Sequence, residues 1–309
     1  MTTLQGKAPV SATFAPLAAL PVRLVKPRSG SVFSARLRRN VGALLGLTIL
    51  AMVLLVAIFA DVLMPYDPLK TYPANAFDPP SLSHLFGTDE IGRDIFSRVI
   101  AGSRISFEIA LLVLAVASAI GVSIGALAGY FGGWLDEICM RLADIFFAFP
   151  HFLLAMAIVA ALGPGITNAM LAIAVVYWPR YARLVRGSIL IVKQQAFVDA
   201  AAALGASHWR IVLRHILPNC TAPLLVQATM DAGTAILTTA SLSFIGLGAV
   251  PPTAEWGAMV AQGRTFVTTA WWMPTFPGLA IGVTVAGYMF LGDGMRDLLD
   301  PRLRNRVNF

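Results

Sequence analysis

Charged side chains are scarce in this 309-residue sequence, making up 13% of it against 57% hydrophobic residues. An ordinary soluble domain carries about 25% charge. The polar shell that water requires around a core of this size is therefore missing, and lipid must take its place. Cysteine is nearly absent: there are only Cys139 and Cys220. The topology below puts both at cytoplasmic membrane edges, where thiols stay reduced, which argues against a structural disulfide. The four histidines, His84, His151, His208 and His215, are scattered with no metal spacing. Gly-x-x-x-x-Gly-Lys-Ser/Thr, His-Glu-x-x-His and Gly-x-Ser-x-Gly are all missing, so the chain lacks the usual device for cradling nucleotide phosphates and any hydrolase signature. It reads as a non-enzyme. The net charge of +7 comes without an aromatic-interleaved basic stripe, a zinc spacing or a polar recognition helix, which argues against nucleic acid as a partner. The first 40 residues hold seven Lys or Arg and no acid, and their apolar stretch from Phe14 to Val22 is broken by Pro16 and Pro21. Residues 1–40 read as a cytoplasmic tail, not a cleaved signal peptide.

Long apolar runs are what the sequence has in abundance. Crossing about 30 Å of hydrocarbon takes about 20 predominantly apolar residues. Six segments qualify: Val41 to Met64, Ile105 to Tyr130, Leu142 to Leu162, Ile166 to Trp178, Cys220 to Leu247 and Trp271 to Leu291. The fourth is fully apolar for only 13 residues before Pro179 and Arg180, and its helix is expected to continue past that interruption. Positive residues are retained on the cytoplasmic side. With the N-terminus inside, 18 of the 23 Lys and Arg fall on cytoplasmic segments. Trp134, Trp178, Trp256, Trp271 and Trp272 lie close to span ends, where the amphipathic indole prefers to sit. The expectation is an all-α polytopic membrane protein of six transmembrane helices with both termini cytoplasmic. Its parts are a tail at 1–40, a first helix at 41–64, an outer loop at 65–104, a five-helix core at 105–300 and a short tail at 301–309.

The inner loop between the fourth and fifth spans carries the sharpest local signal. Ala196 to Leu204 is an Ala-rich stretch of high helix propensity, ended by Gly205. Ser207 is placed to cap a second stretch, His208 to Ile216, and Pro218 stands where the chain re-enters the membrane. Phe197, Ala200, Ala201 and Leu204 share one helical face, and nothing in the sequence covers it. An uncovered apolar face asks for a partner; the competing reading is an interfacial helix lying on lipid headgroups.

Asp199-Ala200-Ala201, three residues, Gly205 and then Ile216-Leu217-Pro218 resembles the EAA loop of ABC import permeases. Asp199 stands for the family's glutamate, and His215 takes an isoleucine position with Ile216 beside it. The resemblance covers nearly the whole chain. HLFGTDEIGRDIFSRVIAGSRIS (84–106), GGWLDEICMRLADIFFAFP (132–150), YARLVRGSIL (181–190), LSFIGLGAVPPTAEWGAM (242–259) and LGDGMRDLLDPR (291–302) are similar to segments of the dipeptide, oligopeptide and nickel class of these permeases. The first 30 residues match nothing recognisable. The resemblance implies an inner-membrane permease forming half of a translocation pathway for peptides or a related small solute, a nickel complex or an opine among them. It implies a second homologous permease subunit, two ATPase subunits that bind ATP and Mg, a cargo-delivering extracytoplasmic binding protein, and no cofactor on this chain. It also implies that Asp199, Ala200, Ala201, Gly205, Ile216, Leu217 and Pro218 couple the chain to the ATPase.

On the outer loop, Gly87-Thr88-Asp89 and Gly92-Arg93-Asp94 pack glycines and charges just before the second span. Two turns and an ion pair of Asp94 with Arg93, Arg98 or Arg104 would account for them. The resemblance implies instead a surface that meets the binding protein. Asp231 stands about eleven residues into the fifth span, where a charge costs about 2.5–3.5 kcal/mol. It either lines the path, favouring a cationic or amine-bearing cargo, or is hydrogen-bonded among helices. The competing function is a secondary transporter driven by an ion gradient through Asp231; it would call for inverted repeats and broken midplane helices, and it leaves the EAA-like loop without a role.

Overall fold

The structure is a computed structural model that describes residues 40–299; the expected tails at 1–39 and 301–309 lie outside the described residues. Every named element is a helix. α1 (Val41–Ile58) starts where the Asn40 side chain accepts from the Ala43 amide at 3.0 Å, and a one-turn α2 (Ala60–Leu63) follows it. α3 spans Ile95–Phe131, 37 residues, beginning ten residues before the expected Ile105. The reason is a cap: Asp94 accepts from Ser97 N at 2.8 Å and Ser97 Oγ at 2.7 Å, satisfying an amide that would otherwise be orphaned at the helix start.

The third expected span is not one helix. α4 (Gly133–Ala148) and α5 (His151–Leu162) meet at a 91° bend. Pro150 has no N–H to continue the ladder, and it holds Phe149 extended at φ −100°, ψ 141°. α6 (Ile166–Val192) runs unbroken through Pro179, so the fourth helix continues beyond its apolar stretch as expected. The inner loop folds as α7 (Ala196–Ala203), α8 (His208–Ile211), a π-helical turn at Val212–Ile216 and a 3-10 turn at Leu217–Cys220. α9 (Thr221–Phe244), a short further helix α10 (Trp256–Gly263) and α11 (Trp272–Leu299) complete the described residues.

By length and hydropathy, α1, α3 and α11 are each long and apolar enough to cross a membrane, and the bent α4–α5 pair passes the same test as a broken span or a re-entrant loop. α6 and α9 have the length, 27 and 24 residues, but carry Arg180, Arg183 and Arg186, or Asp231 and a run of Thr and Ser. They are the helices whose polar groups lie against other helices, and in chain order they take the fourth and fifth of the six expected positions.

In lipid there is little hydrophobic drive between helices, so close packing must hold them. α3 meets α6 across Gly121, Gly125 and Gly129: a Cβ at Gly121 would strike Tyr181 Cβ and the Trp178 carbonyl, and one at Gly125 the Ala182 backbone. Gly46 and Ala43 of α1 dock in the same way on Leu291 and Gly294 of α11. The core of the bundle, Val113, Ala117, Val159, Ile173, Tyr177, Ile236 and Leu242, comes from α3, α5, α6 and α9. Cys139 and Cys220 are both free.

Candidate functional site

At the inner end of α6 the chain turns through Gln195 into α7. Gly205, at φ +79°, ends the helix: the Ala206 amide donates to Ala201 O at 3.1 Å and the Gly205 amide to Ala202 O at 3.0 Å. This paired closure requires a left-handed residue, which glycine adopts without steric cost. Ser207 takes the extended cap position, but its side chain makes no capping bond, contrary to expectation. The second stretch is also not one α-helix. Pro218 cannot donate to Arg214 O, and the Leu217 amide reaches back to Val212 O instead, widening the last turn.

The two faces of α7 have different tasks. Val198 is buried and Ala201 half-buried against Val185 and Ile189 of α6 and Ile211, Val212 and Ile216 of the return segment. Phe197 and Ala200 are exposed, and Leu204 is 89% exposed. Ala201 thus belongs to the inner face, a correction to the four-residue outer face read from helical spacing. Among the other expected coupling residues, Asp199, Gly205 and Pro218 are exposed, Leu217 is half-buried and Ile216 is buried. The hook is also tied to the end of α3: Tyr130 Oη and His208 Nδ1 lie 2.8 Å apart. Lys193 Nζ donates to Tyr130 O at 2.7 Å, a cation on the carbonyl end of a helix, where the dipole favours it.

Above the hook, α6 carries Arg180, Arg183 and Arg186 at three-residue intervals, and each finds an acid on another helix. Arg186 grips Asp136 of α4 in a fork, Nε to Oδ1 at 2.5 Å and Nη2 to Oδ2 at 2.6 Å. Arg183 pairs with Asp144 of α4 and lies 4.1 Å from the Phe147 ring centroid. Arg180 Nη1 donates to Asp231 Oδ1 of α9 at 3.1 Å, while Gln227 Nε2 donates to Oδ2 at 3.1 Å. Asp231's side chain is 3% exposed and Arg180's 28%. The carboxylate expected on the pathway is therefore inside the bundle, and its cation is the group that reaches the surface. Reading the arginines only as a cytoplasmic charge count missed these pairs; the signal available was their spacing by three and the acids at 136, 144 and 231.

The outer-loop residues also turn inward. Gly87, Thr88, Asp89, Gly92, Arg93 and Asp94 are all buried. Asp89 accepts from Arg93 Nε at 2.5 Å and from the amides of Ile91 and Arg93 at 3.1 and 2.9 Å. Asp94 takes none of the three expected arginines: it caps α3 and lies 2.9 Å from His84 Nδ1, while Arg104 pairs with Asp61. Trp272 Nε1 of α11 donates to Thr88 O at 3.1 Å, pinning the loop to the bundle. The six residues form the loop's buried frame, and Leu82, Leu85 and Ile91 are among its exposed side chains.

Residues 121–305 match the family described as the binding-protein-dependent transport system inner membrane component. Residues 31–80 match the N-terminal transmembrane domain of oligopeptide transport permease C. The probable D,D-dipeptide transport system permease protein of Escherichia coli strain K12 is 51% identical over 82% of this chain and 85% of its own length. A dipeptide transport system permease protein of Alkalihalophilus pseudofirmus is 44% identical over 87% of this chain and 89% of its own. A glutathione transport system permease protein of Escherichia coli O1:K1 is 46% identical over 88% and 90%. The inward-facing methionine ABC transporter superposes with a TM-score of 0.53 at 21% identity, covering 65% of this chain and 96% of that one; that likeness concerns the fold alone.

Proposed function

We propose a working cycle for this chain, which belongs to the family of binding-protein-dependent transport system inner-membrane components. It is the permease subunit of an ABC importer. In our reading its cargo is a peptide or a peptide-like small solute, as in the names of its dipeptide and glutathione relatives. It pairs with a second homologous permease and with two ATPase subunits, which hold ATP and Mg, hydrolyse the nucleotide and leave this chain without a cofactor. An extracytoplasmic binding protein docks over the outer loop framed by Asp89, Arg93 and Asp94, through the exposed side chains around that frame. Both termini and the hook face the cytoplasm.

The coupling step follows from the two faces of α7. Phe197, Asp199, Ala200 and Leu204 enter a groove on the ATPase, where small residues permit close approach. Val198, Ala201, Ile211 and Ile216 pass the motion to the base of α6. Each large apolar side chain fully buried on that inner side contributes about 1.5–3 kcal/mol, so the hook moves with α6 and does not hinge freely. ATP-driven closure of the ATPase pair then swings α6 and switches the pathway from inward to outward opening. The single observation behind this reading is an outward apolar face on a hook whose inner face is packed. The ion-gradient alternative loses its coupling group, because Asp231 is already engaged by Arg180 and Gln227.

The test is Leu204→Arg, a fully accessible position, in the complete transporter. Uptake should fall at least about ten-fold with normal membrane levels, and the ATPase subunits should no longer copurify. Full uptake with the ATPase retained would refute the docking assignment.

A further inference from the structure

Arg180 is fourteen residues from the start of α6 and twelve from its end, about 21 and 18 Å along the helix axis. Asp231 is ten and thirteen residues from the ends of α9. The pair thus lies near the middle of α6 and α9, the fourth and fifth of the expected spans, each of which has to cross about 30 Å of hydrocarbon. A cation at that depth costs about 2.5–3.5 kcal/mol against lipid, and such groups face a bundle interior or a water-filled cavity. Arg180 is not fully interior, its side chain being 28% exposed. Toward the cytoplasm the half-exposed Arg183–Asp144 pair and then Arg186–Asp136 continue a charged stripe, each arginine roughly 60° around the helix from the last. The exposed surface of α1 is the opposite in kind, made of Met52, Leu54, Leu55 and Ile58. The two surfaces therefore differ in kind, apolar on α1 and charged along the α6 arginines.

The guanidinium has five N–H donors. Among the described residues Arg180 spends one nitrogen, Nη1, on Asp231; its Nε and Nη2 have no hydrogen-bond partner there and are not sealed from solvent. Nε and Nη2 form the edge of the guanidinium whose two parallel N–H bonds match a carboxylate. The Tyr177 ring lies 4.6 Å beneath the guanidinium carbon and sets its plane. Gln227 holds the far oxygen of Asp231, so the anchor is itself held. This is a positioned, half-satisfied cation on a partly exposed surface midway along α6.

We infer that Arg180 is a carboxylate-binding group on the translocation surface, receiving the free carboxylate of peptide-like cargo through its Nε–Nη2 edge, with Asp231, Gln227 and Tyr177 as positioning residues. This rests on the peptide-import reading and reverses the charge preference expected from Asp231: the path favours an anionic group, not an amine.

The experiment measures binding-protein-dependent uptake of a dipeptide and of its C-terminal amide by the complete transporter in proteoliposomes. The comparison uses the wild type, Arg180→Gln with Asp231→Asn, and Arg180→Lys. The double variant leaves no buried charge unpaired. Because the binding protein is common to all, the ratio of free acid to amide reports the permease alone. That ratio should fall at least about ten-fold in the double variant, the worth of a charged hydrogen bond, and recover in part with lysine, which keeps the charge without the fork. An unchanged ratio, or equal loss of both cargoes, overturns the inference. In parallel, Arg180→Cys with Asp231→Asn, in a Cys139→Ser background, should react with a membrane-impermeant thiol reagent, whereas Leu55→Cys should not; no reaction at position 180 also overturns it. If the wild type imports no peptide, the peptide reading fails and the carboxylate assignment with it, while labelling at 180 still decides whether this face is wet.

Discussion

Asp231 was conspicuous in the sequence as a lone acid deep in an apolar run, and its environment explains why it is tolerated there. A carboxylate 3% exposed survives because Arg180 and Gln227 occupy both oxygens. Removing one member of a buried pair strands the other charge, a loss of about 3–5 kcal/mol. Arg180→Leu, which strands that buried carboxylate, should therefore lower the thermal unfolding midpoint of the purified protein clearly more than Arg183→Leu does, since the Asp144 left behind is 59% exposed and exposed pairs contribute about 0–1 kcal/mol. Equal shifts would contradict the difference in burial. Gly205 makes a second residue-scale prediction. At φ +79° with open space around it, it is fixed by backbone conformation and not by crowding. Gly205→Val should abolish uptake with unchanged membrane levels, because a β-branched residue resists that conformation, while Gly205→Asn should retain most of it. The turn at Gly205 was legible because a glycine at the end of an Ala-rich stretch announces a left-handed helix stop. The partners of Asp94 were not: a capping bond to Ser97 and a contact with His84 depend on the loop's path, which local charge counting does not encode.

Among the elements, helix existence was easy to read and helix continuity was not. α1, α3 and α11 are apolar enough to declare themselves. The α4–α5 break at Pro150 was hidden because hydropathy averages over a bend, although proline and its restraint on the preceding residue were there to be used. α6 continues past its apolar stretch as the sequence suggests; its arginines look like an interface, yet each is matched by an acid on a neighbouring helix. α10 escaped notice altogether, being only eight residues long. The α3–α6 contact yields the prediction at this scale. Gly121 and Gly125 leave no room for a side chain against Tyr181 and Ala182. Gly125→Leu should destabilise the bundle by about 1–3 kcal/mol, read as a lower unfolding temperature in detergent, whereas Gly132→Leu, at a position with nothing nearby, should owe any loss to its positive φ alone. Equal effects would mean that the helices do not depend on close backbone approach.

Taken whole, the molecule is a lever with two differently anchored ends. The outer loop is pinned internally by Asp89, Arg93, Asp94 and Trp272. The hook is pinned to α6 and α3 while keeping one apolar face free. Between them α6 runs from the outer side to the hook without interruption, and its charged pairs connect it to α4 and α9. Motion imposed on α7 would therefore be carried along one continuous helix to the charged pairs at its middle. The most direct measurement is disulfide or bifunctional crosslinking of Leu204→Cys, in a Cys139→Ser background, to cysteines placed around the groove of the copurified ATPase subunit, with and without ATP. The account predicts crosslinking to the ATPase in both states, with α6 labels changing position on ATP binding. Labelling of Leu204→Cys only by a reagent confined to the outside of the cell would contradict it.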